Sequence, residues 1–246
     1  VQPTKINKFM KLKLLNILLL LAGSDLFFVP CNTNDELDDS SASVTVQFGS
    51  QIGELNTRTI AGGDQWAAND KIGIFMLNHG QPLDPGNISG GAENSEYRAE
   101  TGGNAFTSFF PVGNDIYYPV ISKVDFIAYY PYQLSLTDYC FDVDMSNQSV
   151  PEGINVLYAH EDNENGYDKK SGTVNLKFKH LMSKLSFVLI PGKGLSETDL
   201  IDLEVRISSF FSAATVNLKQ GDATANGSVT DIILNTAVDG QSGSAI

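Results

Sequence analysis

A chain of 246 residues with 42% hydrophobic side chains can bury the core of one large domain or two small ones. Its 22 Gly, 14 Phe and 9 Tyr lie in short apolar runs between turn residues, which favours an all-β protein over a helical one. A net charge of −13 argues against nucleic acid and against an anionic membrane surface as direct partners, because both need clustered Lys and Arg.

Lys11 and Lys13 precede the run Leu14 to Ala22, which is too short to span a bilayer as a mature helix. Residues 1–31 therefore read as an export signal of the lipoprotein type, with Met10 as its natural start. Cys31 ends that stretch, and the acidic segment 32–42, with almost nothing to bury, is expected to be a disordered tether. In a bacterial lipoprotein, which this arrangement resembles, Cys31 is acylated. Phe28-Val29-Pro30 departs from the small residue expected before such a cysteine, and a cut after Ala22-Gly23-Ser24 is the competing reading. Removing the first thirty residues leaves 12 basic against 28 acidic groups, a charge that suits solubility outside a cell. Cys140, in Tyr139-Cys140-Phe141, is a small buried hydrophobe if Cys31 carries lipid, and otherwise a candidate to pair with Cys31 in an oxidising compartment. Two cysteines are too few for a disulfide scaffold or a zinc site.

Ser43 to Phe48 alternates cleanly and predicts a first strand with Val44, Val46 and Phe48 inward. A polar connection carrying Arg58 follows, with Trp66 packed near its end. Lys71 to Leu77 predicts a buried strand, and 78–103 a mobile surface excursion holding a short strand at 95–99. Asn104 to Phe109 and Ile116 to Pro119 are candidate short strands. Val124 to Tyr130 is the strongest strand of this half and ends at Pro131, because proline cannot donate to a central ladder. Ser146 to Gly153 reads as a turn, Val156 to Ala159 as a strand, and the Asn-rich stretch Glu161 to Ser171 as a linker. The expected domains are 43–170 and 171–246.

Val174, Leu176 and Phe178 alternate with Asn175, Lys177 and Lys179, which predicts a half-exposed strand. After a break at 180–183, Leu185 to Ile190 predicts a strand apolar on both faces, ended by Pro191-Gly192. Ser196 is placed to cap a helical turn. Ile201, Leu203, Val205 and Ile207 alternate with polar residues, and Thr215 to Leu218 and Asp231 to Leu234 are shorter candidates. So few strands predict that the second domain is incomplete.

Four phrases in order carry a family resemblance: Thr57-Arg58 with Trp66, Asp70 and Ile72-Gly73-Ile74; Phe126-x-Ala128-Tyr129-Tyr130-Pro131-Tyr132; Val156-Leu157-Tyr158-Ala159; and Phe178-x-His180-x-x-Ser183-Lys184-Leu185. Together they resemble the fimbrillin-type proteins, pilus subunits and surface lipoproteins of anaerobic Gram-negative bacteria. The resemblance implies two transthyretin-like antiparallel β-sandwich domains and a structural role in a cell-surface fimbria, as subunit, anchor or tip, in adhesion or biofilm formation. It implies attachment to the outer membrane through lipid on Cys31. For shaft subunits it also implies proteolytic processing after Arg58, which would remove the first strand and let other fimbrial subunits add a strand in its place; an ordinary surface arginine, as in anchor or accessory members that are never processed, is the competing reading. A host protein or glycan is the receptor it suggests. The alternative is a glycan-binding outer-membrane lipoprotein, which would use Tyr117 or Tyr118 because Trp66 reads as buried.

No constellation points to an enzyme. His79, His160 and His180 lie in separate segments, and neither a nucleophile motif nor a phosphate loop is present, so no cofactor or metal is expected. Asp142 with Asp144 and Asp202 with Glu204 are pairs that strand periodicity puts on one side, and they read as solvated faces. Glu161-x-Asn163-x-Asn165-Gly166 echoes a calcium loop, but Gly172 occupies the position of the bidentate acid, which favours an Asn-Gly turn.

Overall fold

The computed structural model describes residues 42–53, 65–146, 148, 151–201, 203–235 and 242–245. The chain divides into two compact units, 1–39 and 40–246, and every described residue belongs to the second.

Twelve strands are found among the described residues: β1 Gln47–Ile52, β2 Lys71–Asn78, β3 Ser95–Ala99, β4 Phe106–Pro111, β5 Val124–Tyr130, β6 Cys140–Asp144, β7 Leu157–Glu161, β8 Thr173–His180, β9 Leu185–Val188, β10 Glu204–Asn217, β11 Asp222–Asn235 and β12 Ser242–Ala245. Seven of them form a closed sheet in the order β1-β4-β3-β2-β5-β7-β8. It closes because β8 runs parallel to β1, whereas the other neighbours are antiparallel. A three-stranded sheet, β11-β10-β6, and a two-stranded sheet, β12-β9, complete the unit.

Two cores explain the burial pattern. The closed sheet holds the first, around Trp66, Phe48, Tyr97, Phe126 and Phe178. The second lies on the outer side of β2, β5 and β7, where Phe75, Ile127, Tyr129 and Tyr158 meet Phe141, Val143, Ala214 and Val216 of β6 and β10. All seven residues of β5 are therefore buried, the apolar ones in one core or the other and Asp125 against His79. This is why its sequence is apolar at every position but Asp125 instead of alternating.

Several expectations shift. The first strand is Gln47–Ile52, entered through a Thr45–Tyr117 bridge, with Val46 and Phe48 inward as the alternation requires. Ile116 to Pro119 supplies only that bridge. The connection after β2 is not a loose excursion, because Leu83, Ser89 and Ala92 are buried and Met76 N–H donates to Ala92 O at 3.0 Å. β8, expected to open a second domain at 171, pairs with β7 and β1 in the closed sheet. Leu185 to Ile190 is not buried on both faces: Leu185, Val188 and Ile190 are exposed, and only Phe187 turns toward Ile232 and Leu234. β10 and β11 form one long hairpin, with register shifts between Ile207 and Phe210 and between Phe211 and Ala213.

Candidate functional site

Of the residues singled out from sequence, Cys31 and Arg58 lie outside the described residues, as does Asp202. The three histidines occupy separate neighbourhoods. His79 Nδ1 is 2.9 Å from the buried Asp125 carboxylate, His180 Nδ1 is 2.8 Å from Asn155 Oδ1, and His160 Nδ1 lies 3.9 Å from Asp162. No group of three acidic, histidine or cysteine side chains is placed to hold a metal among the described residues. Asn163 Oδ1 accepts from Asn165 N–H at 3.0 Å, and Gly166 N–H donates to Asn163 O, so this stretch is a turn closed on itself. Trp66 and Tyr118 are buried, while Tyr117 is half exposed.

The feature that these elements build together is the seat of β1. Its inner side chains, Phe48, Ser50 and Ile52, and Val46 just before it are all buried, while Gln47 and Gln51 face solvent. Phe48 lies across from Phe109 of β4 and Val174 of β8. Its ring meets Tyr97 and Phe126 edge to face, both at 5.2 Å, an arrangement that adds to plain burial. Ser50 sits between Thr107 and Leu176 and donates from Oγ to Thr107 O at 3.3 Å. Ile52 lies across from Phe178.

Both ends of β1 are fixed. Val46 N–H donates to Ile116 O and Tyr118 N–H to Val44 O at the entry, at 2.8 and 3.0 Å. At the exit Gly53 N–H donates to Phe178 O at 2.8 Å. The segment 54–64, which carries Arg58, therefore starts from a pinned point and returns to another, where Trp66 N–H donates to Asn104 O at 2.9 Å. Trp66 closes the floor there, with its ring 5.1 to 5.7 Å from Phe109, Phe178 and Tyr130.

The walls differ in strength. β4 is held by β3 on its far side. β8 is held by only two ladder pairs to β7, Leu157 with His180 and Tyr158 with Lys179. Beyond them the strands part, and a side chain takes over: the buried Glu161 carboxylate accepts Lys177 N–H at 2.7 Å. The slot is uncharged within. Burial pushes Tyr97 and Tyr118 up to about 12, so both stay neutral at physiological pH. Sequence reasoning missed Ser50 and Glu161. The first continues an alternation from Val44 to Ile52 that only its small polar side chain disguises, and the second opens an Asn-rich stretch that reads as a linker or as an echo of a calcium loop.

A family model described as Fimbrillin-like matches residues 57–246. The chain belongs to the fimbrillin-like family. It is 37% identical over 189 residues to a Bacteroides uniformis protein named, provisionally, as fimbrium subunit Fim1C; the match covers 74% of this chain and 58% of that curated relative. The chain thus spans well under two thirds of the relative's length. A crystal structure of a protein described provisionally as a cell adhesion protein, also from Bacteroides uniformis, superposes with a TM-score of 0.66 at 30% identity, covering 84% of this chain and 75% of that one. A second such structure, from Bacteroides ovatus, gives 0.63 at 23% identity over 83% and 78%, and shares the fold. In this fimbrillin-like chain the phrases that carried the resemblance converge in space: Tyr130 and Phe178 pack on Trp66, while Ile72, Ile74, Leu157 and Ala159 line the same core. They are fold-defining residues around the floor of the β1 slot.

Proposed function

We propose that this chain is a structural component of a cell-surface fimbria, a subunit, anchor or tip protein supporting adhesion, in which β1 is an exchangeable strand. The observation that carries the reading is the seat of β1, a strand buried on one face only, paired on both edges, and followed directly by the segment that carries Arg58. In this reading a trypsin-like cut after Arg58 separates β1 from Trp66. Departure of the strand exposes Phe109, Val174, Leu176 and Phe178, and at roughly 25 cal/mol per Å2 of apolar surface an extended segment of a neighbouring subunit is drawn into the slot. Lipid on Cys31 holds the uncut chain at the outer membrane. The closed sheet with its β6–β10 cover is the first of two transthyretin-like sandwiches, and β9, β12 and the far half of the β10–β11 hairpin belong to the second.

The fimbrium-subunit name of the 37% identical relative supports this reading, as does the family. Intact mass of the protein extracted from its own outer membrane, before and after limited trypsin, tests it. A diacyl or triacyl adduct on Cys31 and a released fragment ending at Arg58, followed by growth of oligomers, are expected. An unmodified chain that resists cutting at Arg58 contradicts both the anchor and the exchange.

A further inference from the structure

The sheet β11-β10-β6 ends on β6, and no strand pairs with the outer side of β6 among the described residues. Its turn reveals which backbone groups are left there. Thr137 and Cys140 exchange N–H to O bonds of 3.0 and 2.9 Å, so Cys140 aims its backbone away from β10. Alternation along an antiparallel strand then aims Asp142 and Asp144 the same way, while Phe141 and Val143 bond to β10. Met145 N–H, which donates to Ser212 O at 2.8 Å, is in phase with this assignment.

A groove of about 480 Å3 follows this edge, with Gln133, Ser135 and Thr137 on one wall and Phe141, Asp142 and Thr215 on the other. At Ser135 it meets a second cleft of about 490 Å3 that reaches Leu134, Asp138 and Glu93. Leu134 is 86% exposed, an apolar side chain with nothing over it. The ionisable carboxyl groups along the two clefts are Glu93, Asp138 and Asp142, and Asp144 stands next on the same side of β6. Lys219 is the nearby cation, and it is already committed to Asp138 at 2.7 Å, over the Tyr139 ring.

We infer that the open edge of β6 accepts an extended, basic segment of another protein as an added strand. The occupant's backbone pairs with the outward N–H and C=O groups of Asp142 and Asp144, its Lys or Arg side chains meet the carboxylates, and an intervening apolar residue covers Leu134. Charge selects it: the same carboxylates repel the edge of a second copy of this acidic chain, as guarded edges do. Hydrogen bonds from the Ser146 hydroxyl and backbone N–H hold the Asp144 carboxyl below the usual range, so it keeps its charge into mildly acid conditions. This surface is separate from the β1 slot and does not depend on strand exchange there.

The test uses the full chain and three dye-labelled decapeptides alternating Lys with Val, Glu with Val, and Thr with Val, read by fluorescence anisotropy. Only the Lys–Val peptide is expected to bind. Asp142→Asn with Asp144→Asn should weaken it about three- to tenfold, as should raised salt, since exposed ion pairs contribute modestly. Asp142→Pro removes an outward N–H while leaving the ladder to β10 intact, and should abolish binding. If that variant fails to fold, a Lys–Val peptide N-methylated at alternate residues makes the same test from the other side. No binding by the Lys–Val peptide, equal binding by the Glu–Val or Thr–Val peptide, or full binding by the N-methylated peptide overturns the proposal.

Discussion

β1 and β5 are both interior strands of one closed sheet, yet they are built for different permanence. β5 is buried along all seven residues and ties the two cores together, with Phe126 on one side and Ile127 and Tyr129 on the other. β1 contributes to one core only and turns Gln47 and Gln51 to water. A strand that touches both cores cannot leave without opening both. A strand that touches one can be replaced by another of similar pattern, which is what the proposed role of β1 demands.

Tyr129→Ala should show the permanence of β5 most strongly. The ring stacks on Phe75 at 6.2 Å, and its hydroxyl donates to Asn94 Oδ1 at 2.7 Å and accepts Gln133 N–H. Loss of the ring and of these bonds should cost about 4–5 kcal/mol and lower the denaturation midpoint as one cooperative loss. Phe48→Ala should cost less, about 3 kcal/mol, and hydrogen exchange should quicken in β1, β4 and β8 before it does in β6 and β10. If β6 and β10 quicken equally, the two cores are not separable. Glu161→Ala removes the acceptor of Lys177 N–H, and about 1–3 kcal/mol with it. Exchange at Lys177 should then rise, while β2 and β5 stay protected.

The pH dependence reports on burial in both cores, Tyr97 and Tyr118 in one and Tyr129 and Tyr158 in the other. Burial raises Tyr97, Tyr118, Tyr129 and Tyr158 to about 12 from an ordinary 10. The folded protein therefore holds protons that the unfolded chain releases. Their stabilising contribution is complete below pH 10 and is lost as pH rises from 10 to 12. Thermal melts across that window should fall together with the rise of tyrosinate absorbance, and Tyr97→Phe should flatten the fall.

How much of this was legible follows the same division. β5 announces itself through the apolar run Phe126 to Tyr130, whereas β1 shows its entry in Val44, Val46 and Phe48 and hides its second half behind Gly49-Ser50. β6 could not be read. Cys140–Asp144 holds only two inward apolar residues, and the turn before it puts Asp138 and Tyr139 at positive φ, where a sequence signal would be Asn-Gly. Tyr139 is kept in that strained state by burial of its ring against Phe75 and by a 2.9 Å bond to Glu93. The Asn-rich stretch before β8 looks like a linker because its turns satisfy themselves locally. The parallel pairing that brings β8 back to β1 leaves no local trace. The β10–β11 hairpin was broken into pieces by its bulges, which interrupt alternation between Ile207 and Ala213.

Replacement of β1 once the chain is cut is the step on which the proposed role rests. Trypsin-nicked full chain, freed of excess protease, can be mixed with a fluorescent peptide spanning residues 42–58 and its uptake followed by size exclusion. Uptake is expected by nicked protein only, and is lost when the peptide carries Phe48→Ala or Ser50→Leu. Equal uptake by uncut protein, or none by protein shown to be cut at Arg58, contradicts it.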